Sequence, residues 1–111
     1  IEARFPIMYE KYFDLNSKTN IQKSLLLGIA RKESIFIQYA KSSAGALGIM
    51  QIMPKTAYWV LKRTKSKKVS RNYLYNKKIN IFIGSYYFNY LYSKKKITWK
   101  LLLRTMLDQM Q

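Results

Sequence analysis

Hydrophobic positions recur at helical spacing from the start of the chain. In the stretch ARFPIMYEKYFDLN, Phe5, Met8, Tyr9, Tyr12, Phe13 and Leu15 fall near a helical repeat, and Pro6 suits a first turn, so a short helix is predicted there. The polar run LNSKTN interrupts the pattern, and Asn20 is placed to cap a second helix that runs through IQKSLLLGIARKESIF to about Phe36. The small, polar stretch YAKSSAGAL predicts a loop, where Gly45 and the following Gly48 let backbone come close to a ligand or to a neighbouring element. Helical spacing resumes in two pieces over IMQIMPKTAYWVLKR, because Pro54 excludes Met53 from helical geometry and favours a fresh start. TKSKKVSRNYLYNKK reads as a basic connector, with its lysines solvated. INIFIGSYYFNYLYS is apolar or aromatic on nearly every side and too long for one strand, which predicts a buried helix ending at Lys94 to Lys96, where cations meet the negative pole of the helix dipole. WKLLLRTMLDQM predicts a last helix. The expected fold class is all-α, with residues 1–111 forming one domain and no internal repeat.

Composition narrows the chemistry. Hydrophobic residues make up 49% of the chain, with 4 Gly and 2 Pro, which suits a packed helical globule and not disorder. No Cys and no His are present, so disulfides, thiolate chemistry, a Ser-His pair and the usual zinc sites are excluded, and neither a metal nor another cofactor is expected. No apolar run approaches the ~20 residues of a membrane span. The chain starts at Ile1 and not at Met, as expected of the C-terminal part of a longer polypeptide. The net charge of +16 predicts attraction to polyanions, while the excess of Lys over Arg and the abundance of Ile, Asn and Tyr also match an AT-rich coding sequence.

Glu33 stands out against this background. Residues three, four and seven positions away on a helix are Ala30, Ile29, Leu26, Phe36 and Ile37, all apolar. A carboxyl turned toward that face is expected to be held protonated, the state a general acid requires. The alternative is a surface Glu paired with Arg31, Lys32 or Lys41. Scarcity favours the first: the 93 residues between Asp14 and Asp108 hold 19 Lys or Arg and this one carboxylate. A glycosidase normally uses two carboxylates. With one, the same Glu must give and take the proton, and the nucleophile must come from the substrate, as a tethered hydroxyl can.

ARKES, then Ser42 nine residues after Glu33, then GALGIMQIMPKTA, resemble the signature of the lytic transglycosylases with a goose-type-lysozyme-like catalytic domain, and ARFP and INIFIGSYYF are similar to the soluble members from Gram-negative bacteria. The similarity covers about Ala3 to Tyr92. It implies a lysozyme-like single catalytic domain that cleaves the MurNAc-GlcNAc β-1,4 bond of peptidoglycan without hydrolysis, leaving 1,6-anhydromuramyl ends. Glu33 is then the catalytic acid and base, Ser34 orients it or instead bonds back to its own helix, and Ser42, Gly48, Gln51 and Met53 line the sugar cleft. Gln51 would offer amide hydrogen bonds to sugar, or brace its loop; Met53 and Met50 would line the cleft or fill core gaps, and Tyr87 would pack in the core.

The resemblance further implies a periplasmic, monomeric domain whose partner is the peptidoglycan glycan strand, with no nucleic acid expected. One departure lies near Met106, where the family carries an Ala-Tyr-Asn-Ala-Gly segment that LLLRTMLDQMQ lacks. The chain is then truncated or altered at its C-terminus, or its site is impaired, and a remnant that binds glycan without cleaving it is the alternative function. A basic nucleic-acid-binding module is a further rival, suggested by the charge and the Tyr/Lys interleaving. Asn76, where the family commonly has Asp, is expected to cap a loop.

Overall fold

A computed structural model describes residues 7–66 and 72–94, and among them the regular structure is helical. Helix α1 spans Ile7–Leu15, α2 spans Asn20–Ser34, α3 spans Pro54–Arg63, a 3-10 turn covers Tyr73–Tyr75 and α4 spans Lys77–Ser93. None of these helices is long and apolar enough to cross a membrane. The expected last helix, the cations beyond Lys94 and the position near Met106 lie outside the described residues.

The centre of the fold is α4, as its all-round apolar sequence predicts. Ile81 and Ile83 are fully buried in it, and α1, α3 and the 3-10 turn pack around it. Gly84 is buried where the chain around Met50 crosses: a Cβ there would lie 2.5 Å from the Met50 sulfur. From the other helices, Phe13, Leu26, Ile29 and Val60 complete the core. Near the C-terminal end of α4, Trp59 meets Tyr87 and Tyr90 edge to face at 6.0 and 4.7 Å, and the Arg63 guanidinium lies 4.8 Å from the Trp59 ring. Tyr87 therefore packs against the core, as expected. Between α1 and α2, the Lys23 ammonium bridges Asp14 at 2.7 Å and Glu10 at 2.9 Å, and these hydrogen bonds, Asp14 first, raise its pKa.

Helix ends follow local chemistry, with two corrections. Thr19, not Asn20, is the N-cap of α2: its side chain accepts from the Gln22 N–H at 3.0 Å, and Asn20 is the first helical residue. The helix stops at Ser34, two residues before the expected Phe36, because Ile35 and Phe36 turn left-handed (φ 53° and 61°) and the Ile35 N–H closes onto the Arg31 carbonyl. Met53 is extended (φ −72°, ψ 139°) and Pro54 opens α3, as the proline rule requires. Asn76 caps α4, its Oδ1 accepting from the Ile79 N–H at 3.1 Å. Tyr73 is partly buried in the 3-10 turn, which pushes its phenol pKa up.

The helical piece expected over IMQIM is instead a turn. The backbone N–H of Leu47 donates to the Ile52 carbonyl at 3.0 Å and that of Ile52 returns to Leu47 at 2.9 Å, while Gly48 (φ 79°) and Gln51 (φ 51°) are left-handed. The periodicity there reflects burial, not helix: Ile49, Met50 and Ile52 all point into the core from the turn.

Gly45 and Gly48 separate two costs of adding a side chain. Both have positive φ, but a Cβ at Gly45 meets nothing within 4 Å, whereas one at Gly48 would lie 2.5 Å from the Leu74 carbonyl oxygen and overlap the Asn80 side chain. Gly45→Ala is expected to cost about 1–2 kcal/mol of backbone strain. Gly48→Ala adds overpacking of about 1–3 kcal/mol. Thermal or urea unfolding of the two variants should therefore rank Gly48→Ala clearly lower.

Candidate active site

Glu33 is exposed. The apolar burial expected for it is not observed, and the helix row explains why. Leu25 and Ile29 continue to Glu33 along one side of α2, and Leu26 and Ala30 continue to Ser34 along the next. The core accepts the second row to its end, so Ser34 is buried, while the first row runs out beside the reversal at Ile35. Phe36, folded back by that reversal, occupies the apolar space, and Ile37 is exposed. The carboxylate is left at the rim of α2, one residue from the point where the helix meets the Leu47–Ile52 turn.

That meeting point is Ser34. Its hydroxyl lies within reach of two carbonyl oxygens, Ala30 one helical turn back at 3.1 Å and Ile49 in the turn at a shorter distance. The side chain can thus bond back to its helix, as one of the two expectations has it, and it ties the residue after Glu33 to the turn that carries Gly48 and Gln51.

The remaining predicted residues are all in or beside that turn. Gly48 is buried and donates its N–H to the Ala40 carbonyl at 2.8 Å. Its missing side chain serves the close approach of Asn80 and Leu74, so of the two roles expected for this glycine the neighbouring element takes it. Gln51 braces the loop: its Nε2 donates to the Ala40 carbonyl at 3.1 Å and to Gly48 at 2.9 Å. Both N–H bonds of that amide are used, and its Oε1 accepts no hydrogen bond among the described residues. Ser42 closes the preceding turn, its hydroxyl accepting from the Ala46 N–H at 3.0 Å. Met50 fills the core, whereas Met53 is 41% exposed at the entrance to α3.

Asn80 is the residue that sequence reading missed. It is fully buried in α4, in the middle of an apolar run. Its Oδ1 accepts from the Met50 N–H at 2.8 Å, and its Nδ2 donates to Leu47 and Leu74 carbonyls, each at 2.9 Å. An Asn inside an otherwise apolar helix was the available signal.

Two grooves of about 280 and 310 Å³ flank α4 elsewhere, the first lined by Leu25, Leu26 and Phe88 among others, the second by Trp59, Tyr87 and Tyr90. Neither is lined by Glu33, Gly48 or Gln51. Among the described residues no Asp and Glu side chains converge in a group that could hold a metal ion.

The family model described as Transglycosylase SLT domain matches residues 11–104. The chain is 38% identical over 96 residues to the soluble lytic murein transglycosylase of Escherichia coli (strain K12), covering 85% of this chain and 15% of that protein. Its fold is similar to the crystal structure of the 70 kDa soluble lytic transglycosylase of Escherichia coli, with a TM-score of 0.73 at 36% identity, over 82% of this chain and 15% of that one. It is also similar to an inactive glutamate-to-glutamine mutant of lytic transglycosylase Slt from Pseudomonas aeruginosa, with a TM-score of 0.74 at 29% identity, over 84% and 15%. The chain thus spans about a seventh of the length of these relatives. With its all-α, lysozyme-like architecture and a family match across most of its length, the chain belongs to the Transglycosylase SLT domain family.

Proposed function

We propose that this chain is the catalytic domain of a peptidoglycan lytic transglycosylase, with Glu33 as general acid and then base. The observation that supports the reading is the bond from Ser34 to the Ile49 carbonyl, which ties the residue after Glu33 to the turn bearing Gly48 and Gln51. The inactivity of the glutamate-to-glutamine mutant of the Pseudomonas aeruginosa relative supports a single glutamate as the essential group.

In the proposed reaction the Glu33 carboxylic acid gives its proton to the oxygen of the MurNAc-GlcNAc β-1,4 bond as the bond from muramyl C1 to that oxygen breaks. The muramyl 6-hydroxyl closes on C1, and its proton passes to the Glu33 carboxylate. No water is consumed and the acid is regenerated. A glycan strand lying over Glu33 would exclude water from the reacting atoms. Gln51 Oε1 is an acceptor for a sugar hydroxyl or N-acetyl N–H, Met53 offers an apolar edge to a sugar ring, and Ser42 and Gly48 shape the backbone wall. A periplasmic site of action and a monomeric domain go with this reading. The charge of +16 complements carboxylate-bearing stems of the cell wall.

A second reading is a remnant that holds glycan strands without cleaving them. It is favoured by the exposure of Glu33.

Digestion of purified sacculi, followed by mass spectrometry, should give 1,6-anhydromuropeptides, and Glu33→Gln should lower their rate of release by about 100- to 10,000-fold. Products with free reducing ends would mean hydrolysis instead. Sedimentation with sacculi and no product would select the remnant. Ser34→Ala leaves the buried Ile49 carbonyl short of a partner and is expected to cost about 1–3 kcal/mol in urea unfolding. At temperatures where it is folded, its cleavage rate should fall as well, since the turn is no longer tied to α2.

A further inference from the structure

The Leu47–Ile52 turn is held from two sides. Ser34 grips it from the end of α2 through Ile49, and Asn80 grips it from α4 through Leu47 and Met50. The orientation of the Asn80 amide is unique: Met50 presents an N–H and so must face Oδ1, while Leu47 and Leu74 present carbonyls and must face Nδ2. All three bonds are made by a side chain with no exposed surface, and Gly48 has no side chain where that amide passes. The turn therefore takes its place from Asn80, and the loop atoms that face outward take theirs from the turn.

Resting on the proposed reaction, we infer that Asn80 is a positioning residue for it: the buried amide sets where the Gln51 side chain and the Gly48 backbone stand relative to Glu33. Asn80 touches no substrate. It acts through the Met50 amide and the Leu47 carbonyl, and a displacement of about 1 Å at the sugar site is enough to cost ~100-fold in rate.

Two variants of the 111-residue chain separate this role from simple support of the fold. Asn80→Asp keeps the acceptor for Met50, but its carboxylate faces two carbonyl oxygens with no proton to share. Asn80→Leu keeps the number and branching of the heavy atoms and makes none of the three bonds. With rates divided by the folded fraction from circular dichroism at each pH, Asn80→Asp should release anhydromuropeptides about 100-fold more slowly than wild type at pH 7. Its rate relative to wild type should climb as pH falls, because the protonated acid regains a donor; Asn80→Leu should stay low throughout. Equal rates per folded molecule, or no recovery of Asn80→Asp at low pH, would overturn the inference.

Amide hydrogen exchange read by NMR needs no catalysis. The Gly48, Met50 and Gln51 amides should exchange faster in Asn80→Leu, while those of α1 keep their protection. Unchanged protection in the turn overturns the positioning role. A wild type that fails to cleave sacculi would count against the proposed function alone, with exchange still deciding the role of Asn80.

Discussion

A carboxamide inside an apolar core is costly unless each of its hydrogen-bonding positions is met. Asn80 meets them with backbone groups from the Leu47–Ile52 turn and the 3-10 turn. Much of the local geometry follows. Gly48 must lack a side chain because the amide and the Leu74 carbonyl pass so close. The 3-10 turn is drawn against α4, and Ile49, Met50 and Ile52 are carried into the core. With the turn seated on α4, its Ile49 carbonyl stands where the buried Ser34 hydroxyl can reach it, which places the end of α2 beside the same turn.

Those relations also explain what could be read from the sequence. Helices α1, α3 and α4 were readable because their signals are local: apolar spacing, Pro54 as a helix start, and an apolar run of helical length. The Thr19 cap and the early stop of α2 were harder, since Asn20 is as good a cap by residue type and the left-handed Ile35 and Phe36 carry no glycine to announce the reversal. Over Ile49–Met53 the apolar pattern does not distinguish helix from turn, because a turn that sends Ile49, Met50 and Ile52 into one core shows the same spacing.

The sequence offers a candidate site as a set of residues and not as a geometry. Glu33, Ser34, Ser42, Gly48, Gln51 and Met53 were recognisable by motif, and the structure brings Ser34 to the turn that carries Gly48 and Gln51. It also shows that several of them are engaged in holding the loop together: Ser42 on Ala46, Gln51 on Ala40 and Gly48, and Gly48 against Asn80. Burial of Glu33 was expected because three apolar residues precede it on the helix, yet a helix row does not state where its packing partner ends. Asn80 is flagged only as an Asn in an apolar run, and its role is hidden because its partners, 6 to 33 positions away, are backbone atoms that no residue type reveals.

The proposed cleavage requires Glu33 and the Leu47–Ile52 turn to form one surface that takes a glycan strand. Titration of the isotope-labelled Glu33→Gln variant with a MurNAc-GlcNAc tetrasaccharide, followed by amide NMR, tests this without turnover. Shifts centred on position 33, Gly48, Gln51 and Met53, saturating together, are the predicted result. A response confined to the aromatic groove at Trp59, Tyr87 and Tyr90, with the turn silent, would contradict it.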